Sequence, residues 1–354
     1  MTVEIRTKSV KPLQNSFGHL QRRFGDKQAT RYQEATYDIQ STANFHYKPL
    51  WDPEREMFDA RRTAVTMNDW YALKDPRQFY YGNYTTTRAK QQDAVDRTLD
   101  FIEKRDLLRA LPVDVRDLIV HALVPLRHYE WGANTSSAHV AAYGFGTAIT
   151  SPAMMNTMDR LGMAQHISRI GLLLDGNSGD SLLAAHALWT DHADWQPLRR
   201  EVERLFVTRD WFEVFVAQLL VADALVYPLF FQHIDSAIAG GNGSALSSLT
   251  DYLMRWFDET AKWIDAVIKT AAAENAANKT LISGWAVTWR DRLVPALTPI
   301  VQHALGNKSE DAVAAVVAAF NSRATVRSIS SYWPSPSCWN TILPLWSTIY
   351  CAGQ

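Results

Sequence analysis

The stretch from Trp211 to Ile234 is the most apolar in the chain, and it sets the terms for everything around it. Glu213, Gln218, Asp223 and His233 interrupt it. An ionised group at bilayer depth costs several kcal/mol, so the stretch reads as a buried helix rather than a membrane span. A helix that is apolar on nearly every side must be enclosed by others. The chain has the means to do so: 354 residues, 47% hydrophobic and 21% charged, enough for a large core in one big domain or two ordinary ones.

Periodicity predicts helix almost throughout residues 75–325. One helix is expected from about 77 to 105, with Asp75 and Pro76 as its N-cap and first residue. A second spans about 113–145, and a third opens after Ser151-Pro152 and runs to about 174. Gly176, Asn177 and Gly179 make a loop. Shorter helices cover about 180–193 and 196–207. The long apolar helix covers about 210–239 and is stopped by Gly240-Gly241-Asn242-Gly243. Helices at about 246–275, 280–305 and 309–320 complete the set. Between 251 and 269 the polar residues Asp251, Arg255, Asp258, Lys262, Asp265 and Lys269 fall at alternating steps of four and three, which marks one solvated face. Trp256, Phe257, Ile264, Val267 and Ile268 lie opposite. No alternating strand pattern competes, and long amphipathic helices of this kind form bundles.

The ends differ from this body. Residues 1–74 lack helical periodicity and are rich in Arg, Pro and aromatics, among them Phe17, Phe24, Tyr32, Tyr37, Phe45, Tyr47, Trp51 and Phe58. Such an arm has to lie across a surface, either its own domain or a partner, and its composition is that of an interface core. The partner anchors expected on it are Phe17, Arg22, Arg23, Phe24, Tyr32, Tyr37, Phe45 and Trp51. The tail, 326–354, carries no charged residue from Ser328 onward and holds both cysteines, Cys338 and Cys351. It either packs on a partner or is an accident of the reading frame, and no function is placed there.

Several chemistries are excluded by what the residues do not offer. With two cysteines and no CxxC there is no thiolate zinc site, iron–sulfur site or disulfide framework. A net charge of −1 gives no field to recruit nucleic acid or an anionic membrane. The opening residues mix charge and polarity without the apolar core of a signal peptide, so a cytoplasmic location is expected. There is no Walker loop, GxSxG or HExxH, and the GxG at Gly144-Phe145-Gly146 follows a helix and lacks the third glycine.

A di-iron site in a helical bundle needs Glu-x-x-His on two helices, so that carboxylate and imidazole one turn apart meet the same metal pair. The residues three before the ten histidines are Ser16, Ala43, Leu118, Pro125, Ser136, Met163, Leu183, Trp189, Phe230 and Ile300, none of them acidic. Two carboxylates nevertheless fall on buried stripes. Glu130 sits on the stripe Ile119, Leu123, Leu126, with Ala133 where the histidine would stand. Asp223 sits on the stripe Phe215, Leu219, Val226, Phe230. Buried carboxylates need partners or become neutral. These two are either core groups satisfied by Arg or a hydroxyl, or relics of a lost metal site.

Three runs carry a resemblance to a known family. They are FGHLQRRFGDKQATRYQEATYDIQSTANFHYKPLWDP (17–53), NDWYALKDPRQFYYGNYTTTRAKQQD (68–93) and LRHYEWGANTSSAHVAAYGFG (126–146). Over about residues 1–325 the chain resembles the β (medium) subunits of bacterial multicomponent phenol hydroxylases, soluble di-iron monooxygenases. The resemblance implies an all-α, ferritin-like helical bundle at 75–325 behind a long irregular arm at 1–74. It implies a paralogue of the α subunit that carries the di-iron centre, with no catalytic, cofactor or metal residue in this chain. Glu130-x-x-Ala133 then maps onto one ExxH place, and Glu259, followed by Lys262, resembles a second with its histidine replaced. The implied hydroxylase is α2β2γ2, with a small regulatory protein and an NADH-dependent reductase carrying FAD and a 2Fe–2S cluster, converting phenol and methylphenols to catechols. The competing readings are a β subunit of a toluene-type monooxygenase, an autonomous helical binding protein, and a di-iron enzyme with unconventional ligands Glu130, Asp223 and Glu259.

Overall fold

A computed structural model describes residues 18–40 and 48–326 of the chain; Phe17, Phe45 and the uncharged tail lie outside the described residues. Among the described residues every regular element is helical. The body is the helical bundle that the periodicity predicts, of the ferritin-like kind that the resemblance implies. Its centre is the long apolar helix, Trp211–Gly241 (α9 below), almost wholly buried as its composition requires.

Two short helices in the arm precede the body, α1 (Gly18–Phe24) and α2 (Arg31–Thr36). The second is closed by a capping box, with Thr30 and Gln33 bonding each other's backbone N–H. The body proper begins with α3 (Tyr81–Glu103). That is later than expected: the Asp75 carboxylate does accept from Arg77 N at 2.9 Å, as a cap would, and pairs with the Arg77 guanidinium, but no helix follows. The chain turns at Gln78, φ 52°, before the helix can start.

The single helix expected over 113–145 is two, α4 (Val113–Ala122) and α5 (Leu126–Tyr143). Pro125 has no N–H for the carbonyl of His121, and the Trp195 indole donates to that carbonyl instead, at 3.0 Å. The next helix, α6 (Thr147–Asp175), starts before Pro152 and carries it inside. What separates α5 from α6 is Gly146 at φ 88°, a conformation that only glycine adopts freely, packed against Trp70. Among the described residues the pair α5–α6 forms the most extensive helix contact.

Helices α7 (Asp180–Asp191) and α8 (Gln196–Val207) fall where expected. The central helix α9 begins behind Asp210, whose carboxylate caps Phe212 N and Glu213 N. It winds as wide π turns over Phe215–Ala222 and Leu229–Ile234. The glycines at 240–243 do not stop helical winding. A π turn over Ala239–Gly243 carries the chain into α10 (Ser244–Glu274), which packs back along α9.

Asn275 then caps α11 (Ala276–Leu305), and α12 (Ser309–Val326) closes the described chain. On α10 the predicted stripe faces outward, and Trp256, Phe257, Ile264, Val267 and Ile268 are buried. The one deviation is Asp265, half-buried because it holds Arg323 at 2.9 Å.

The arm is not separate from this body. Val65, Trp70 and Leu73 belong to the main core, and Leu20, Tyr32, Tyr37 and Tyr71 form a satellite core against Ala148 at the start of α6.

Candidate functional site

The two carboxylates that fall on apolar stripes meet across the bundle centre. Glu130 comes from α5 and Asp223 from α9, and Arg160 of α6 stands between them. All three are shielded from solvent. One guanidinium nitrogen of Arg160 donates to Glu130 Oε2 at 2.9 Å, and the other bonds Asp223 Oδ2. The remaining carboxylate oxygens are also engaged. Tyr227 donates to Glu130 Oε1 at 2.8 Å, and Tyr129 donates to Asp223 Oδ1 at 2.7 Å. The Gln218 amide reaches both Tyr129 Oη and Asp223 Oδ1, at 2.9 and 3.1 Å. The Trp256 ring lies against the guanidinium, 4.6 Å from its centroid to the Arg160 carbon.

Burial pushes both carboxyl groups above their usual range, and Arg160 pulls the other way. Burial also raises the Tyr129 and Tyr227 hydroxyls far above theirs, so both remain hydrogen-bond donors. One cation serves two carboxylates, and the tyrosine hydroxyls and the amide carry the rest of the negative charge. The two buried carboxylates are satisfied by an arginine, hydroxyls and an amide, as groups at that depth have to be. The residues present do not fit a di-iron group. A fixed cation fills the space between the carboxylates, all four of their oxygens are engaged, and Ala133 offers no donor atom.

Glu259 belongs to a second network. Its carboxylate takes the Arg88 guanidinium at 2.9 and 3.1 Å and lies 3.7 Å from Arg77. Arg88 also binds Asp159 through two bonds of 2.8 Å, and Asp159 accepts from Tyr84 and from the Trp256 indole. Lys262 is exposed, so Glu259 and Lys262 do not form a ligand pair. Asp159 and Arg160 are chain neighbours that enter different networks, and Trp256 touches both. The structure thus brings Glu130 and Asp223 together and leaves Glu259 apart.

Arg160 itself was legible in the sequence. Ile149, Ala153, Asn156, Arg160, Met163, Ile167, Ile170 and Leu174 follow each other at steps of three and four, and all are buried. An arginine on that stripe has to meet a carboxylate.

On the arm, Tyr32 and Tyr37 are corrected as partner anchors: they face inward. The Tyr32 hydroxyl accepts from Asp75 N at 3.0 Å, and burial raises its pKa to about 12. Tyr37 packs edge-on against Phe24 at 4.9 Å and stacks with Tyr71. Arg23 spans Asp38 and Asp69 at 3.0 and 2.5 Å over those same rings, which locks the arm to its own chain. Trp51 is partly exposed, edge-on to Tyr143 and beneath Arg62. Arg22 is exposed.

The outward apolar surface lies elsewhere. Trp131 of α5 is 56% exposed and meets Phe206 of α8, beside the exposed Val207. Met154, Met158 and Leu161 form an exposed row on α6. Asn134 of α5 bonds the carbonyl of Thr157 on α6, which sets the two rows side by side.

Comparison with known proteins agrees with this architecture. The profile of the Methane/Phenol/Alkene Hydroxylase family matches residues 51–275. The chain is 47% identical over 313 residues to the phenol 2-monooxygenase oxygenase component DmpL of Pseudomonas sp. (strain CF600), covering 88% of this chain and 95% of that one. It is 26% identical over 225 residues to the toluene-4-monooxygenase hydroxylase component subunit beta of Ectopseudomonas mendocina, covering 63% of this chain and 68% of that one. A crystal structure of xenon-pressurised phenol hydroxylase from Pseudomonas sp. OX1 superposes with a TM-score of 0.86 at 40% identity, covering 92% of this chain and 98% of the other.

Proposed function

The chain belongs to the methane/phenol/alkene hydroxylase family as a subunit of a multicomponent phenol hydroxylase, and from that premise we propose that it is the non-catalytic β subunit of the hydroxylase component. The observation that carries this reading is Arg160. Its guanidinium occupies the space between the two inward carboxylates, as a permanent positive charge in a bundle whose histidines nowhere follow an acidic residue by three. A guanidinium is never deprotonated in a protein, so this centre holds a fixed charge and two neutral phenols rather than a redox group. The role left to the chain is scaffolding. The exposed apolar rows on α5, α6 and α8 support a partner subunit there, because soluble monomers rarely leave such patches uncovered. An autonomous binding protein has no use for them.

In this reading the partner α subunit holds the di-iron centre and, with γ, completes an α2β2γ2 hydroxylase in the cytoplasm. A small regulatory protein and an NADH-dependent reductase with FAD and a 2Fe–2S cluster serve it. The assembly oxidises phenol and methylphenols to catechols on α. The arm's exposed Arg22 and Trp51 supply further contacts, together with Phe17 and Phe45. The test is co-expression of the tagged chain with candidate partner subunits, followed by iron analysis of each separated polypeptide. The expected result is equimolar recovery of a larger, iron-bearing subunit and no iron in this chain. A chain that runs alone, or that holds about two irons itself, overturns the reading.

A further inference from the structure

Away from the buried networks, three helix ends bring three imidazoles around one carboxylate. Asp194 lies in the short connection between α7 and α8. Its Oδ2 is 3.0 Å from His121 Nε2, 3.3 Å from His303 Nδ1 and 3.7 Å from His192 Nδ1. His121 is in the last turn of α4, His192 follows α7, and His303 is in the last turn of α11. We propose that His121, His192 and Asp194, with water completing the shell, form a binding site for one divalent transition-metal ion of the zinc class, which ties α4 to the α7–α8 connection.

The distances suit such an ion. Zinc bound to imidazole nitrogen and carboxylate oxygen at about 2.0–2.1 Å in a tetrahedron sets its donor atoms about 3.3 Å apart. The separations from Asp194 to His121 and to His192 bracket that value. The donor atoms of His121, His192 and Asp194 all lie within 4.8 Å of one another. Imidazole with carboxylate selects zinc, nickel or copper over magnesium or calcium, which prefer oxygen alone.

The frame is preorganised by Trp195. It is fully buried, its indole donates to His121 O at 3.0 Å, and its backbone N–H donates to His192 O at 3.0 Å. One residue therefore ties the ends of α4 and α7 to the connection that carries the carboxylate. The His303 ring stacks on His121 at 3.6 Å and 11°. Parallel rings at that distance cannot both point a lone pair at one ion, so His303 buttresses His121 rather than ligating, and because two imidazolium ions do not stack face to face, the packing favours a neutral His121. Burial, aided by His303, depresses the His121 pKa in the same sense. His192 Nδ1 accepts the Asp194 N–H at 3.2 Å, so this exposed ring has to turn when it ligates.

The experiment uses the full-length chain in its native assembly, free of any polyhistidine tag. Zinc is counted by equilibrium dialysis separately from iron, and cobalt is substituted and read by visible absorption. The wild type is expected to bind one zinc per chain, to show the intense visible bands of four-coordinate cobalt, and to melt higher with zinc present. The double variant His121→Ala/Asp194→Asn is expected to lose more than about tenfold in affinity, and the zinc-dependent rise in melting temperature with it. His186→Gln, an exposed histidine outside the cluster, retains both. Should the double variant fail to fold, His192→Ala at the exposed rim is expected to alter the cobalt spectrum. No zinc retained by the wild type at micromolar concentration overturns the proposal. Binding unchanged in the cluster variants overturns it equally.

Discussion

The Arg160 guanidinium donates to Glu130 Oε2 at 2.9 Å across the α5–α6 contact, with both side chains wholly shielded from water. The same cation bonds Asp223 on α9, so three helices share one buried charge. Removing one member of a buried ion pair leaves uncompensated charge and destabilises by about 3–5 kcal/mol, whereas replacing the set by apolar residues of similar volume is often neutral. Arg160→Leu is therefore expected to lower stability by about 3–5 kcal/mol. Glu130→Leu/Arg160→Met/Asp223→Leu is expected to recover most of that loss. Urea midpoints of the three proteins decide it; a triple variant no more stable than Arg160→Leu would refute the account.

Gly132 on α5 leaves room for Val202 of α8. A Cβ there would stand 2.4 Å from Val202 Cγ1, a buried and β-branched side chain that has little freedom to move. Alanine gains roughly 1 kcal/mol in helix propensity, but overpacking costs about 1–3 kcal/mol, and at this distance the clash wins. Gly132→Ala is expected to lower the thermal midpoint, and Val202→Ala added to it to restore part of the loss. A stabilised single variant would show that the helices part without penalty.

His128 is packed against Trp189, and burial, with Arg127 beside it, depresses its pKa to about 4. In the unfolded chain the group titrates near its ordinary 6.5. The folded state thus binds fewer protons, and stability is lost as pH falls from about 6.5 towards 4. His139 and His166 are depressed in the same direction by burial. His128→Gln is expected to shrink, without abolishing, the drop in denaturant midpoint between neutral and acidic pH. An unchanged pH dependence would count against a buried neutral imidazole.

Trp131 and Met158 are large, apolar and exposed on adjacent helices. Trp131→Glu/Met158→Lys removes apolar contact area and places charge on the patch, and a desolvated unpaired charge at an interface core costs several kcal/mol. Recovery of the partner subunit in a pull-down is expected to fall at least tenfold, about 1.4 kcal/mol or more. The melting temperature of the chain alone should stay within a few degrees, because neither side chain is part of the core. Undiminished recovery would move the interface elsewhere.

Periodicity alone determined the helical class, the solvated face of α10 and the burial of α9, because each is a local repeat of polar and apolar residues. The same repeat placed Glu130 and Asp223 on inward stripes, and it carries the signal for Arg160, which the sequence reading missed. What it does not contain is which helices cross at those positions. That crossing decides that Arg160 meets Glu130 and Asp223 while its neighbour Asp159 meets Arg88. It likewise sets Glu259 apart and gathers His121, Asp194 and His303 from segments remote in sequence.

Two arm residues show the same division. Tyr32 and Tyr37 look like partner anchors until Tyr71 and Ala148 supply their cover from the same chain. An aromatic side chain announces that it needs burial, and only the tertiary structure says against what.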